Sequence, residues 1–230
     1  DATGYNKPVI IIKTEGDEWE ESIDRSDALE TLDGHDGLTP EYIITRIRDA
    51  GITGMGGAGF PTYVKLTPPS TSKIDCVIIN AVECEPYITS DYRLMMEHAD
   101  EILVGVKLVL MAVSAPVAYI GIERNKPAAI RLFQEKTIGE RSIKIVPLEQ
   151  KYPQGGEKQL IDAVTRRQVP DPPAIPANVG TVVVNVGTAF AVYQAVMKNK
   201  PLFERYTSVS GKHISQPKNF LVRMGTPISQ

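Results

Sequence analysis

Along this chain the spacing of apolar side chains changes repeatedly, and each change predicts an element. Thr39 followed by Pro40 is a helix start, with Ile43, Ile44 and Ile47 on one face and Gly51 as a stop. Residues 76–82 form an apolar run with Asn80 its one polar member, as expected of a strand covered on both faces. A mostly helical stretch over 91–113, interrupted near Ala99-Asp100, leads to a strand over 117–123, a helix over 127–136 and a strand over 143–148. A Gly155-Gly156 turn opens a helix running to about Arg167. A proline-rich linker covers 169–176, then a strand covers 181–186 and a helix 189–199. The alternation predicts an α/β class with a mostly parallel sheet flanked by helices. After Pro201 the pattern turns to two short β segments, 206–210 and 220–224, joined by a polar turn. The first 36 residues hold a short strand at 9–13, an acidic segment with Trp19, and a turn at 33–37, and they read as the tail of a preceding unit. Three segments are expected: 1–36, a central domain over 37–200, and 201–230.

Residues 102–122 are long and apolar enough to suggest a membrane span, with Lys107 the only charge. Ser114-Ala115-Pro116 breaks the run, so helix, turn and buried strand in a soluble core are expected instead. Residues 1–7 are polar and carry no leader pattern.

With 230 residues and 42% hydrophobic composition, the chain can bury a full core. A net charge of −3 without any basic tract argues against nucleic acid as a partner. Cys76 and Cys84 are too few to ligate an iron–sulfur cluster and too far apart for a Cys-x-x-Cys pair. A reducing, cytoplasmic compartment suits both thiols. His35, His98 and His213 lie in unrelated contexts, so no metal set is expected, and no nucleophile elbow supports serine hydrolysis.

The chemistry concentrates in Gly54-Met55-Gly56-Gly57-Ala58-Gly59-Phe60-Pro61-Thr62-Tyr63-Val64-Lys65. Four glycines in six positions leave a backbone bare enough to lie against a phosphate or a flat ring, and Lys65 adds a full charge. No hydroxyl follows the lysine, which excludes the magnesium-dependent phosphate loop. The stretch matches Gly-x-Gly-x-x-Gly formally, but the residues before it read as helix rather than strand, so the dinucleotide fingerprint fits poorly.

This loop resembles the Gly-x-Gly-Gly-Ala-Gly-Phe-Pro-Thr-x-x-Lys segment of the NADH-oxidising flavoprotein of respiratory complex I. Asn80-Ala81-Val82-Glu83-Cys84-Glu85-Pro86, Tyr152-Pro153-Gln154-Gly155-Gly156-Glu157 and Asn185-Val186-Gly187-Thr188 are similar to further blocks of that family. The wording of these blocks, together with Gly121-Ile122-Glu123-Arg124-Asn125-Lys126-Pro127, is most similar to the RnfC family of the Rnf electron-transport complex, over residues 44–226. The resemblance implies a Rossmann-like, complex I flavoprotein-type fold with short β appendages at both ends. Residues 1–36 would then trail an N-terminal barrel-like domain, and 201–230 would open a ligand-binding β-grasp domain.

The resemblance further implies FMN as cofactor, held by Gly54, Gly56, Gly57, Ala58, Gly59, Asn80, Glu83, Tyr152, Gly155, Gly156, Asn185 and Thr188, with Lys65 near the phosphate or the ring edge. NAD(H) would be the substrate, met by Phe60, Lys65, Glu85 and Glu157, with Glu85 on ribose hydroxyls. Phe60 has a second reading as a core aromatic, and Glu157 a second reading as a cap of its own helix. Glu83 and Glu85 alternate at a strand end and are expected to point to opposite sides. No residue acts as a catalytic acid or base in this reading, since hydride transfer follows from cofactor positioning.

The implied function is ferredoxin:NAD oxidoreduction within an ion-translocating complex, peripheral on the cytoplasmic face of the bacterial inner membrane. Implied partners are the other Rnf subunits, membrane subunits and a ferredoxin-like one among them, and the 4Fe-4S clusters would sit in a later segment absent from this chain. Val82 stands where the complex I pattern has an acid, Lys158 where it has threonine, and Met55 where it has arginine. The changes at 82 and 158 resemble the Rnf branch, and Val82 removes any flavin contact that the acid would make. Two alternatives stay open: a cobalamin reductase of bacterial microcompartments, whose flavin core resembles the same family, and a non-catalytic docking or ligand-binding module.

Overall fold

The computed structural model describes residues 12, 13 and 15–228. Four parallel strands, β1 (Cys76–Ala81), β2 (Ala118–Glu123), β3 (Ile143–Leu148) and β4 (Thr181–Asn185), form one sheet in the order β3-β2-β1-β4. The helices are α1 (Pro40–Asp49), α2 (Thr62–Lys65), α3 (Ser90–Glu97), α4 (Ala99–Ala112), α5 (Pro127–Lys136), α6 (Glu157–Thr165) and α7 (Val186–Met197). An antiparallel hairpin of β5 (Glu204–Val209) and β6 (Lys218–Arg223) follows.

The pleat explains why β1 is apolar on both of its faces. Val77, Ile79 and Ala81 of β1 join the large cluster with α1, α3, α4 and α7, whereas Ile78 joins Leu160 and Ile161 of α6 on the opposite face. Both faces are therefore covered. α4 and α7 approach so closely that a Cβ on Gly105 would lie 2.0 Å from the carbonyl oxygen of Ala189. The run 102–122 resolves into most of α4, a turn and most of β2, and no helix among the described residues is long and apolar enough to cross a membrane.

Several element boundaries differ from the sequence reading. The helix interruption falls at His98, which links α3 to α4. β4 stops at Asn185 and α7 starts at Val186, three residues earlier than the apolar pattern suggests, because the Asn185 side chain accepts from the amides of Gly187 and Thr188. Thr39 caps α1 as expected, accepting from Tyr42 N at 3.2 Å. Of the strand expected at 9–13, residues 9–11 lie outside the described residues, and Ile12 and Lys13 are not in a strand.

The acidic segment is exposed but anchored. Trp19 packs edge-on to Phe203 at 5.1 Å, Asp17 pairs with Arg223, and Lys198 at the end of α7 holds Asp24 and the carbonyl of Ala28. The hairpin docks on α3 through Ser208 and Asn219 to Thr89, and through Tyr206 to His98 at 2.9 Å.

Candidate functional site

From β1 the chain moves to β2 and β3 on one side and returns to β4 on the other, so the connections diverge at the carboxyl ends of β1 and β4. Ligands of open α/β sheets bind at such a point. Two asparagines face each other there, Asn80 being the register partner of Asn185.

The glycine loop is seated directly above this pair. Gly54 N donates to Phe60 O at 2.8 Å and Thr62 N to Ile52 O at 3.0 Å, closing residues 54–60 into a compact loop. Met55 N donates to Thr188 Oγ1 at 2.9 Å, which fastens the loop to the first turn of α7. A Cβ on Gly56 would touch Asn185 Cβ at 3.6 Å, whereas at Gly57 and Gly59 it would meet nothing within 4 Å. Both of these glycines hold positive φ, +112° and +62°, a conformation that disfavours other residues. The loop thus presents a bare, exposed backbone next to the amino end of a twelve-residue helix.

Asn80 and Asn185 build the floor. Asn185 Nδ2 donates to Asp91 Oδ2 at 2.8 Å while its Oδ1 caps α7. Asn80 accepts from Val82 N and donates to Gly155 O at 2.9 Å, fixing the 152–156 turn. Gly155 is required there, since a Cβ would lie 2.8 Å from Val82 O and 3.2 Å from Cys84 Sγ. Tyr152 stands exposed on the same turn.

Glu83 accepts from Asp91 N at 2.9 Å and Tyr92 N at 3.3 Å, satisfying the free amides at the start of α3. Burial raises its pKa, reinforced by the nearby Asp91 charge and opposed by these amides and by Lys126. Burial also raises the pKa of Asp91, opposed by the Asn185 hydrogen bond and the Arg205 charge. Lys65 Nζ pairs with Glu157 at 2.8 Å and donates to Val183 O at 3.0 Å.

Two sequence expectations need correction. Phe60 is 48% exposed and is no core aromatic. β1 ends at Ala81, so the strand pleat reaches neither Glu83 nor Glu85, and both line one cavity of about 600 Å³ with Tyr87, Tyr152, Glu123 and Lys126. Glu157, the first residue of α6, sits half-exposed and spends one carboxylate oxygen on Lys65.

Four residues of the site escape the sequence reading. Asp91 joins Glu83 to Asn185. Arg205 of the hairpin donates to Met55 O at 3.4 Å and brings a guanidinium to a loop whose own sequence has methionine in place of arginine. Glu123 and Lys126 form an ion pair at the end of β2. The Gly121–Pro127 block contains the signal for the last two; no local pattern marks Arg205. Among the described residues no group of three or more metal-ligating side chains occurs.

Residues 47–194 match the Nuo51 FMN-binding domain family. The chain is 44% identical over 225 residues to the C subunit of the proton-translocating ferredoxin:NAD(+) oxidoreductase complex of Clostridium ljungdahlii, covering 97% of this chain and 48% of that protein. It is 39% identical over 227 residues to the Na(+)-translocating counterpart from Acetobacterium woodii, covering 98% of this chain and 50% of that one. The chain therefore spans half or less of the length of these curated relatives. Among solved structures, an NAD+-reducing nickel–iron hydrogenase in the air-oxidised state is similar at a TM-score of 0.66 and 27% identity, over 82% of this chain and 37% of that one. The same type of hydrogenase in the H2-reduced state gives 0.64 and 25%, over 80% and 37%. A parallel sheet diverging beneath a bare glycine loop, together with a family match over 148 of 230 residues (47 to 194 inclusive), makes this chain a member of the Nuo51 FMN-binding domain family.

Proposed function

We propose that this chain holds FMN at the carboxyl ends of β1 and β4 and accepts NAD(H) beside it, as the flavin core of an ion-translocating ferredoxin:NAD oxidoreductase. The observation that carries the reading is the seating of the bare loop on the amino end of α7.

The residues present fit that cofactor. A phosphate at the loop meets glycine backbone without side-chain cover and the dipole of α7, whose Gly187 and Thr188 amides Asn185 already caps. Open space over Gly57 and Gly59 leaves room for a flat ring that side chains would block. Gly54, Gly56, Gly57, Ala58, Gly59, Asn185 and Thr188 form the phosphate side of the cradle, and Asn80, Glu83, Tyr152, Gly155 and Gly156 its ring side. When bound, FMN supplies the conversion between two-electron hydride chemistry and single-electron transfer. The chain's own contribution is orientation: Asn80 fixes the 152–156 turn, Glu83 fixes the start of α3, and Phe60 offers an exposed ring for a nicotinamide.

Glu85, exposed on the rim of the 600 Å³ cavity, accepts ribose hydroxyls and disfavours a 2′-phosphate, which selects NADH over NADPH. Lys65 and Glu157 exchange their mutual pairing for contacts with the nucleotides. The chain works with membrane and ferredoxin-like subunits on the cytoplasmic face of the membrane, and passes electrons to 4Fe-4S clusters held outside these residues. Titration with FMN, followed by flavin fluorescence quenching, tests the reading beside a Gly57→Glu variant. Saturable quenching that the variant abolishes supports it; equal binding by both moves the flavin off the loop. Absence of binding by either favours the non-catalytic module.

A further inference from the structure

The Glu123–Lys126 pair has no place in the function above, yet it lies at its edge. Glu123 is 1% exposed and Lys126 8%. Lys126 Nζ lies 2.7 Å from Glu123 Oε2, 3.4 Å from Asn125 Oδ1 and 3.5 Å from the carbonyl oxygen of Glu83. Glu123 Oε1 is buried without a hydrogen-bond partner.

A buried pair with an unpartnered oxygen is a poor way to gain stability, because desolvation offsets the attraction and the orphaned acceptor adds a penalty. Its position suggests another use. Glu123 closes β2 beside the carboxyl end of β1, and both residues line the cavity shared with Glu83, Glu85 and Tyr152. Lys126 crosses from the start of α5 to grip the backbone at Glu83, the residue whose carboxylate organises α3.

We propose that Lys126 is a positioning residue of the candidate flavin site, holding the turn at Glu83 and setting the charge of the cavity, with Glu123 as the buried counter-charge that limits its field. This rests on the FMN reading for its functional consequence, but its electrostatic core concerns this chain alone. The groups facing Glu83 are Asp91 and Tyr92 of α3, Glu123 at the end of β2, Lys126 at the start of α5, and Glu85 and Tyr152 around the cavity. Lys126 is the cation whose charge bears on the Glu83 carboxylate.

The test compares Lys126→Met, Lys126→Arg and Glu123→Gln by carboxyl-carbon NMR titration of Glu83 in the flavin-free chain, with Glu83→Gln to assign the signal. Loss of the cation raises the Glu83 pKa, loss of the counter-charge lowers it, and arginine leaves it near the wild-type value. Shifts in the same direction, or none in either variant, overturn the proposal. A merely structural pair moves only the thermal midpoint. If Lys126→Met fails to fold, a downward shift in Glu123→Gln beside an unshifted Lys126→Arg supports the proposal, and an upward shift or none in Glu123→Gln overturns it.

In the FMN-loaded chain the flavin midpoint potential is expected to fall in Lys126→Met and rise in Glu123→Gln. Wild-type chain that binds no FMN would defeat the functional reading while leaving the flavin-free titration to judge the pair.

Discussion

Lys65 Nζ lies 2.8 Å from Glu157 Oε1 and 3.0 Å from Val183 O, so a single ammonium ties the helix leaving the glycine loop to the start of α6 and to β4. Both side chains are partly exposed, and such pairs contribute roughly 0–1 kcal/mol. Lys65→Met should therefore lower the melting temperature by only about 0–4 °C. A lost charge-assisted hydrogen bond to a nucleotide costs about 1.5–3 kcal/mol, so FMN or NADH affinity should fall roughly tenfold or more. Calorimetric melting and ligand titration on one sample separate the two effects. Unchanged affinity with a large melting shift would make the pair structural.

Gly105 tests the packing of α4 on α7. An added methyl carbon would stand 2.0 Å from Ala189 O and 2.8 Å from Ala189 C, closer than any relaxed contact. Backbone cannot rotate away as a side chain can, so the helices must separate. Gly105→Ala should cost about 1–3 kcal/mol or more through overpacking, despite the better helix propensity of alanine. The expected melting shift is about 2–12 °C downward, and a stabilised variant would contradict the close approach.

Acid stability has a named contributor. The Lys107 ammonium, with the amide and hydroxyl of Ser142, lowers the Glu140 pKa from 4.5 to about 2. A carboxylate with a depressed folded-state pKa stabilises the fold fully above its unfolded pKa of 4.5, and that stability is lost as pH falls through about 2. Glu140→Gln should therefore melt below wild type near neutrality, with the gap closing between those two values. A gap independent of pH would show that shape, not charge, is what Glu140 provides.

Legibility in the sequence differs from residue to residue. The helix at 127–136 and the strand at 143–148 carry in the sequence the bounds the fold has, because Pro127 fixes a start and the apolar periods are local. The glycine loop is equally plain, since its composition is costly anywhere but beside a close-lying group. The Asn185 boundary is not: Val186 continues an apolar run, and only the side-chain capping of Gly187 and Thr188 ends the strand one residue before it. Glu83 reads as a strand-end residue, but its carboxylate turns to cap α3 eight residues on. Arg205 reaches Met55 across 150 residues of sequence, and no periodicity encodes such a contact.

Asn185 offers the sharpest test of how cap and site are joined. Its Oδ1 accepts from Gly187 and Thr188 while its Nδ2 donates to Asp91 at 2.8 Å. Asn185→Ala removes the cap, at about 0.5–2 kcal/mol, and lowers the melting temperature at every pH. Asn185→Asp keeps an acceptor for both amides and places an anion at the helix amino end, worth about 0.3–1 kcal/mol. It also sets a second carboxylate against Asp91, whose pKa burial has already raised. Two carboxylates so placed cannot both ionise, so the folded state keeps a proton that the unfolded state has released, and stability falls as pH rises. The aspartate variant should thus match wild type near about pH 5 and melt lower near about pH 8. FMN affinity should fall on the same pH scale, because the charge appears where the phosphate is received. Melting equal to wild type at the higher pH would mean that Asp91 lies farther from Asn185 than 2.8 Å.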